Sequence, residues 1–124
     1  MKVLALDYGS ARTGVAVSDP TGTLARPVAT VARVDDPRGF DELLALVRAE
    51  EPELVVVGLP LTLRGEHGEQ AQETAAFVER LRAAIEVPVE TYDERFTSVL
   101  AGGDDARAAA HLLSSYLEWQ SARP

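Results

Sequence analysis

Residues 4–10 read Leu4-Ala5-Leu6-Asp7-Tyr8-Gly9-Ser10, and the reading of Asp7 decides the rest. An apolar run suited to the middle of a buried strand ends on a carboxylate instead of a neutral turn residue. One account is local: Asp and Gly often close strands, so Asp7-Tyr8-Gly9 is a turn. The other is chemical: Asp7 is a metal ligand held at the rim of a sheet. The choice depends on what the rest of the chain brings to the same rim.

Working outward, Lys2 to Asp7 is almost wholly apolar, as expected of a central strand covered on both faces. Gly14 to Ser18 reads as a second strand, entered through Gly9-Ser10-Ala11-Arg12. Asp19-Pro20-Thr21-Gly22 is a turn signal, and Leu24 to Val34 gives a third strand weakened at Pro27. Three strands on short turns make an antiparallel meander. Asp36-Pro37 then starts a helix, with Asp36 as N-cap and Pro37 at the first helical position. Phe40, Leu43, Leu44 and Val47 form its apolar stripe, and Pro52 ends it.

Leu54 to Val57 is a second strongly buried strand, closed by Gly58-Leu59-Pro60. A polar loop through Gly65, His67 and Gly68 leads to a helix with Ala71, Ala75, Val78, Leu81 and Ile85 inward. Val87 to Tyr92 is a fifth strand ending at Asp93-Glu94-Arg95, and a last helix runs from Asp105 to Trp119. The order β-β-β-α-β-α-β-α predicts an α/β fold: a mixed five-stranded sheet with helices on both faces. Ligand sites of such sheets lie beyond the carboxyl ends of the central strands. Asp7, Gly58 and Asp93-Glu94 all stand at such ends.

The bulk numbers limit the classes of function. A chain of 124 residues suits one domain, read here as residues 1–124. The absence of cysteine excludes disulfides and thiolate metal sites. No apolar stretch approaches the ~20 residues of a membrane span, and the N-terminus lacks a signal-peptide pattern. A cytoplasmic protein without a membrane partner is the expectation. The net charge of −8, with Lys2 the only lysine, weighs against tight nonspecific nucleic-acid binding. It leaves room for a local basic patch or a metal-mediated site.

A carboxylate at a dry strand end tends to protonate unless something compensates it. A divalent cation compensates several at once, and magnesium takes two or three acidic oxygens from different elements while keeping part of its water. Asp7 and the Asp93-Glu94 pair supply two elements. On the last helix Asp105 shares a face with Ala109, Leu112 and Tyr116, so it begins the inward stripe. Asp104 falls with Ala108, His111 and Ser115, a more polar set, and reads as the cap. Both also suit the positive end of the helix dipole. Asp93 and Glu94 point to opposite faces of their strand, so only one can readily meet Asp7, and alternation leaves the choice open.

Other residues carry weaker signals. Gly9 and Gly14 allow close backbone approach to a phosphate or simply make turns. Arg95 suits a salt bridge or a phosphate. His67 is a general acid or base, or a surface residue. His111 reads as structural, and Tyr8, Tyr92 and Trp119 as packing. Glu50-Glu51 and Glu69 to Glu73 read as solvated helix surface.

Four ordered blocks now bear on the question: ALDYGSARTGVAVSD, VVVGLPLTLRGEHGEQA, VPVETYDERFTS and DDARAAAHLLSSYL. Together they resemble the YqgF/RuvX family, bacterial proteins with an RNase H-like fold described as Holliday junction resolvases and as pre-16S rRNA nucleases. The resemblance implies a metal-dependent nuclease using Mg²⁺ or Mn²⁺ in a two-metal mechanism. Asp7, Glu94 and Asp105 would be catalytic, with Asp93 a further candidate ligand. Gly9, Arg12, Gly58, Pro60, Gly65, Gly68 and Arg95 would contact substrate. It implies precursor rRNA or branched DNA as nucleic-acid partner, with ribosomal particles as a further partner and either a monomer or a homodimer. One departure is visible: relatives carry a longer, often basic stretch before the last helix, where this chain has Val99-Leu100-Ala101-Gly102-Gly103.

Two competing functions stand beside this one. Asp7-Tyr8-Gly9-Ser10 followed by Gly14 also resembles the first phosphate loop of actin and sugar-kinase type nucleotide-binding modules. Those bind ATP between two such domains, and this chain has the length of one. The acidic charge and the shortened segment favour a non-catalytic ribosome-assembly factor.

Overall fold

The apolar run that opens the chain forms β1 (Val3–Asp7), and the next two strands fold back on it as β2 (Arg12–Ser18) and β3 (Ala25–Ala32). The structure, a computed structural model, describes residues 1–60, 68–94 and 104–123. Three further units follow: α1 (Pro37–Glu50) with β4 (Leu54–Leu59), then α2 (Glu69–Ala84) with β5 (Val89–Asp93), then α3 (Asp105–Ala122). The strands make one sheet in the order β3-β2-β1-β4-β5. β2 is antiparallel to β1 and β3, while β4 is parallel to both β1 and β5. The expected mixed sheet with an antiparallel meander is therefore present, and the parallel trio brings three carboxyl ends to one rim.

The period of two assigns the side chains of the central strands to two cores. Leu4, Leu6, Val55, Val57 and Val89 pack with Leu43, Val47, Phe77 and Leu81 of α1 and α2. Val3, Ala5, Val56 and Tyr92 pack on the other face with Ala109, Leu112 and Tyr116 of α3. Burial on both faces explains why β1 and β4 are continuous apolar runs. Each fully buried Leu or Val contributes roughly 1.5–3 kcal/mol.

Several boundaries and contacts differ from the sequence reading. In α2 the buried set is Ala71, Thr74, Phe77, Val78 and Leu81, while Ala75 and Ile85 are only half-buried. Thr74 tolerates burial because its hydroxyl donates to the Gln70 carbonyl one turn back. Asp36 occupies the N-cap of α1, with Pro37 opening the helix, but makes no side-chain cap bond. β5 starts at Val89, two residues later than expected, and His111 is exposed on α3, away from the core. Among the described residues no helix is long and apolar enough to cross a membrane.

Candidate functional site

Asp7 is the last residue of β1, and its neighbours on both sides are glycines. On β2 its register partner is Gly14. On β4, Gly58 follows Val57, the partner of Leu6. Each glycine leaves room for a particular group. A Cβ on Gly14 would collide with the carbonyl of Asp105 and the amide nitrogen of Ala106, so the first turn of α3 is seated directly on that strand. A Cβ on Gly58 would collide with the carboxylate of Glu94.

The second contact explains how Glu94 reaches Asp7. β5 is two strands from β1, and strands lie about 4.8 Å apart. Glu94 spans that gap by lying across Gly58. Its face follows from alternation: Tyr92 packs with α3, and Glu90 accepts a hydrogen bond from Tyr116 Oη at 2.9 Å, so even-numbered residues of β5 face α3. Asp7, two residues after Ala5, faces the same side. Asp93 alternates away from it and acts on Glu94 through its charge.

The electrostatics are those of crowded acids in a half-buried place. Burial pushes the Glu94 carboxyl up to about 8, reinforced by its hydrogen bond to Asp7 and by the charges of Asp7 and Asp93. Asp7 is also raised, first by burial and then by Asp105, against the lowering effect of the bond from Glu94. Glu94 thus donates and Asp7 accepts, one proton serving two carboxyl groups. Asp105 stands at the first turn of α3, and its carboxylate is paired with Arg12 Nε at 3.1 Å. Asp104 caps that turn, accepting from the Ala106 amide at 2.9 Å, as its place in the sequence foretold.

The loop between β1 and β2 holds the rim in place. Thr13, fully buried, contacts both the amide and the carbonyl of Gly9 through its hydroxyl. A Cβ on Gly9 would strike the carbonyl of Arg12, so this glycine closes the loop on itself. On the opposite face Tyr8 stacks on Phe77 at 4.6 Å and donates to Asp35 at 2.7 Å. Arg80 reaches Asp35 from α2 at 3.5 Å.

Of the residues singled out in the sequence, Asp7, Glu94 and Asp105 converge at one rim, with Arg12 and Gly58 beside them. Pro60 follows β4, and Gly68 is the N-cap of α2. Gly65, His67 and Arg95 lie outside the described residues, as does the Val99–Gly103 stretch. Among the described residues no group of three His, Cys, Asp or Glu side chains is arranged to hold one ion in common, and Asp105 is paired with Arg12. The donor chemistry nevertheless fits a hard divalent cation. The groups are all carboxylate oxygens, and the proton between Asp7 and Glu94 relieves the same repulsion a cation would relieve. Asp7 and Glu94 could hold such an ion, with Asp105 able to join on leaving Arg12. The role of Gly58 as the opening for Glu94 was missed in the sequence. Its signal was a glycine ending a Val-rich strand between two acid-bearing strands.

Comparison with known proteins places this rim in context. The family model described as RuvX, Holliday junction resolvase, matches residues 1–104. A Chloroflexus aggregans protein named "Putative pre-16S rRNA nuclease" is 46% identical over 99 residues, covering 80% of this chain and 70% of the relative. A Rhodococcus erythropolis protein of the same name is 41% identical over 139 aligned positions, covering 95% and 78%. An alignment longer than the 124-residue chain means that this relative has residues the present chain lacks. Across the similar relatives the matched stretch spans 65 to 78% of their length. The fold matches T. thermophilus RuvC, solved in complex with a Holliday junction substrate, with a TM-score of 0.64 at 18% identity, covering 98% of this chain and 96% of that one. The sheet and helices therefore have the RNase H-like arrangement expected from the sequence.

Proposed function

The chain belongs to the RuvX family, and on that premise we propose that it is a metal-dependent endonuclease cutting phosphodiester bonds in structured nucleic acid. The observation that carries this reading is the proton-sharing Asp7–Glu94 pair, with Asp105 close enough for its charge to act on Asp7. Half-buried acids that repel one another are a costly arrangement for stability and a useful one for collecting cations.

Asp7 is the central residue, fixed by the β1–β2 loop and flanked by glycines that clear its surroundings. Asp7 and Glu94 would hold the cation, and Glu94, which shares a proton with Asp7 here, would do so as a carboxylate. Asp105 would complete the set on leaving Arg12, whose guanidinium is suited to a phosphate oxygen. Asp93, on the opposite face of β5, remains the further candidate. When bound, Mg²⁺ or Mn²⁺ supplies activation of water and neutralisation of charge at the scissile phosphate, in the manner of two-metal hydrolysis. The substrate is precursor 16S rRNA or branched DNA, following the names of the relatives and of the family. Either substrate puts the protein in the cytoplasm, with ribosomal particles as its surroundings in the first case.

The test is cleavage of a precursor 16S rRNA fragment and of a four-way DNA junction with Mn²⁺, comparing wild type with Asp7→Asn. Loss of about 10²-fold or more in rate, with the melting temperature retained, is expected. Equal rates in the two proteins, or no cleavage of either substrate by wild type, would overturn the reading.

A further inference from the structure

Several of the basic residues of this acidic chain are neutralised close to home. Arg12 pairs with Asp105, Arg26 with Glu50, Arg80 with Asp35 and Arg82 with Glu79. Arg107, like Arg33, Arg38 and Arg48, stands outside these ion pairs among the described residues, and it lines a groove. It has no hydrogen-bond or ion-pair partner among the described residues, and neither has His111. Both line a surface groove of about 180 Å³ between α3 and the edge strand β3, together with Ala110, Ser114 and Pro27.

The spacing explains the groove. Arg107, His111 and Ser114 stand at i, i+4 and i+7, so they form one exposed row along α3. Side chains four apart on a helix are about 5–6 Å apart at Cβ, near enough to hold one anionic group between them. Each offers a donor: a guanidinium fork, a ring N–H and a hydroxyl. Pro27 closes the strand side with an apolar ring and no N–H. Glu118 continues the row beyond Ser114 by another four residues, so the favourable stretch for an anion ends there. Its other end starts two residues from Asp105.

We propose that this groove binds a backbone phosphate of the nucleic acid, on the strand running away from the point of cleavage. Taking the ligand to be nucleic acid rests on the nuclease reading. The residues and the groove do not. The guanidinium fork matches phosphate oxygens in pairs, and a cation in a chain of net charge −8 is a local reversal of field that would orient a polyanion.

The experiment is fluorescence anisotropy with a labelled four-way DNA junction and a labelled precursor 16S rRNA fragment. Both are measured in EDTA so that cleavage cannot intervene, across a range of salt. The full chain is compared with Arg107→Ala, Arg107→Ala/His111→Ala and, as control, Arg38→Ala on the exposed face of α1. Arg107→Ala should bind about five- to tenfold more weakly at low salt, and its salt slope should fall by about one. The double variant should bind more weakly still, and Arg38→Ala as wild type. Wild-type affinity and slope in the double variant would overturn the groove while leaving the nuclease reading intact. A wild type that binds neither nucleic acid would also overturn the groove, and cleavage of the same two substrates with Mn²⁺ then decides the nuclease reading separately. Wild type that binds but does not cleave would remove the nuclease reading alone, and loss of binding in Arg107→Ala would still support the groove. Titration with poly-glutamate gives a last check: preferential, Arg107-dependent binding of the peptide over both nucleic acids would overturn the ligand assignment.

Discussion

Glu94 reaches Asp7 only because residue 58, on the strand between them, has no side chain: a Cβ on Gly58 would occupy the place of the Glu94 carboxylate. The pairing of two acids is thus set by a third residue that has no chemistry of its own. Gly58→Ala should displace a flexible side chain and leave the backbone in place. The expected result is a stability change below about 1 kcal/mol, with cleavage reduced about tenfold to a hundredfold through misplacement of Glu94. Mn²⁺ affinity by calorimetry should weaken in parallel. Undiminished cleavage in Gly58→Ala would show that Glu94 does not act from this position.

Gly14 provides the contrasting case, since there the obstructing atoms are backbone. A methyl group at this position would press on the Asp105 carbonyl and the Ala106 amide nitrogen, and the first turn of α3 could not yield without shifting the helix. Gly14→Ala should cost at least about 1–3 kcal/mol in denaturant unfolding, as overpacking generally does. A melting temperature equal to that of wild type would contradict this seating of α3.

The shared proton has a consequence for stability in the absence of metal. The Glu94 carboxyl is pushed up to about 8 from an ordinary 4.5, so the folded state holds this proton more tightly than the unfolded chain. Its stabilising contribution is complete below about pH 4.5 and is lost as pH rises through about 8. In EDTA the melting temperature should therefore fall across that window, and Glu94→Gln should flatten the fall. Mn²⁺ should restore stability at the alkaline end, because a cation replaces the proton. An identical pH profile for Glu94→Gln would refute the assignment of the proton to this pair.

On the opposite face, Phe77 supports the rim from below. It is 1% exposed, stacks on Tyr8 and meets Phe40 edge-on at 6.5 Å. Phe77→Ala should cost about 3–5 kcal/mol and could unfold the chain at 37 °C. Phe77→Leu, which keeps most of the volume, should cost less and retain cleavage. A loss below 1 kcal/mol in Phe77→Ala, measured in urea, would mean that this core collapses around the gap.

The sequence by itself determined the order of elements, the central placement of β1 and β4 and the inward face of α3. Each rests on local periodicity: runs buried on both faces, and apolar residues recurring at helical spacing from Ala109 to Tyr116. It also placed Asp104 as a cap, since capping involves only neighbours in the chain. Local pattern was weaker in α2, where alanines mark no face strongly and Thr74 is buried through a bond to its own helix. Only the tertiary structure decided between Asp93 and Glu94 as the partner of Asp7, because the phase of β5 depends on which of its residues meet α3. It alone revealed what Gly14 and Gly58 make room for, and that Arg12 neutralises Asp105. Those relations join residues on different strands and helices, whose distances are set by sheet register and helix packing, and no spacing along the chain encodes them.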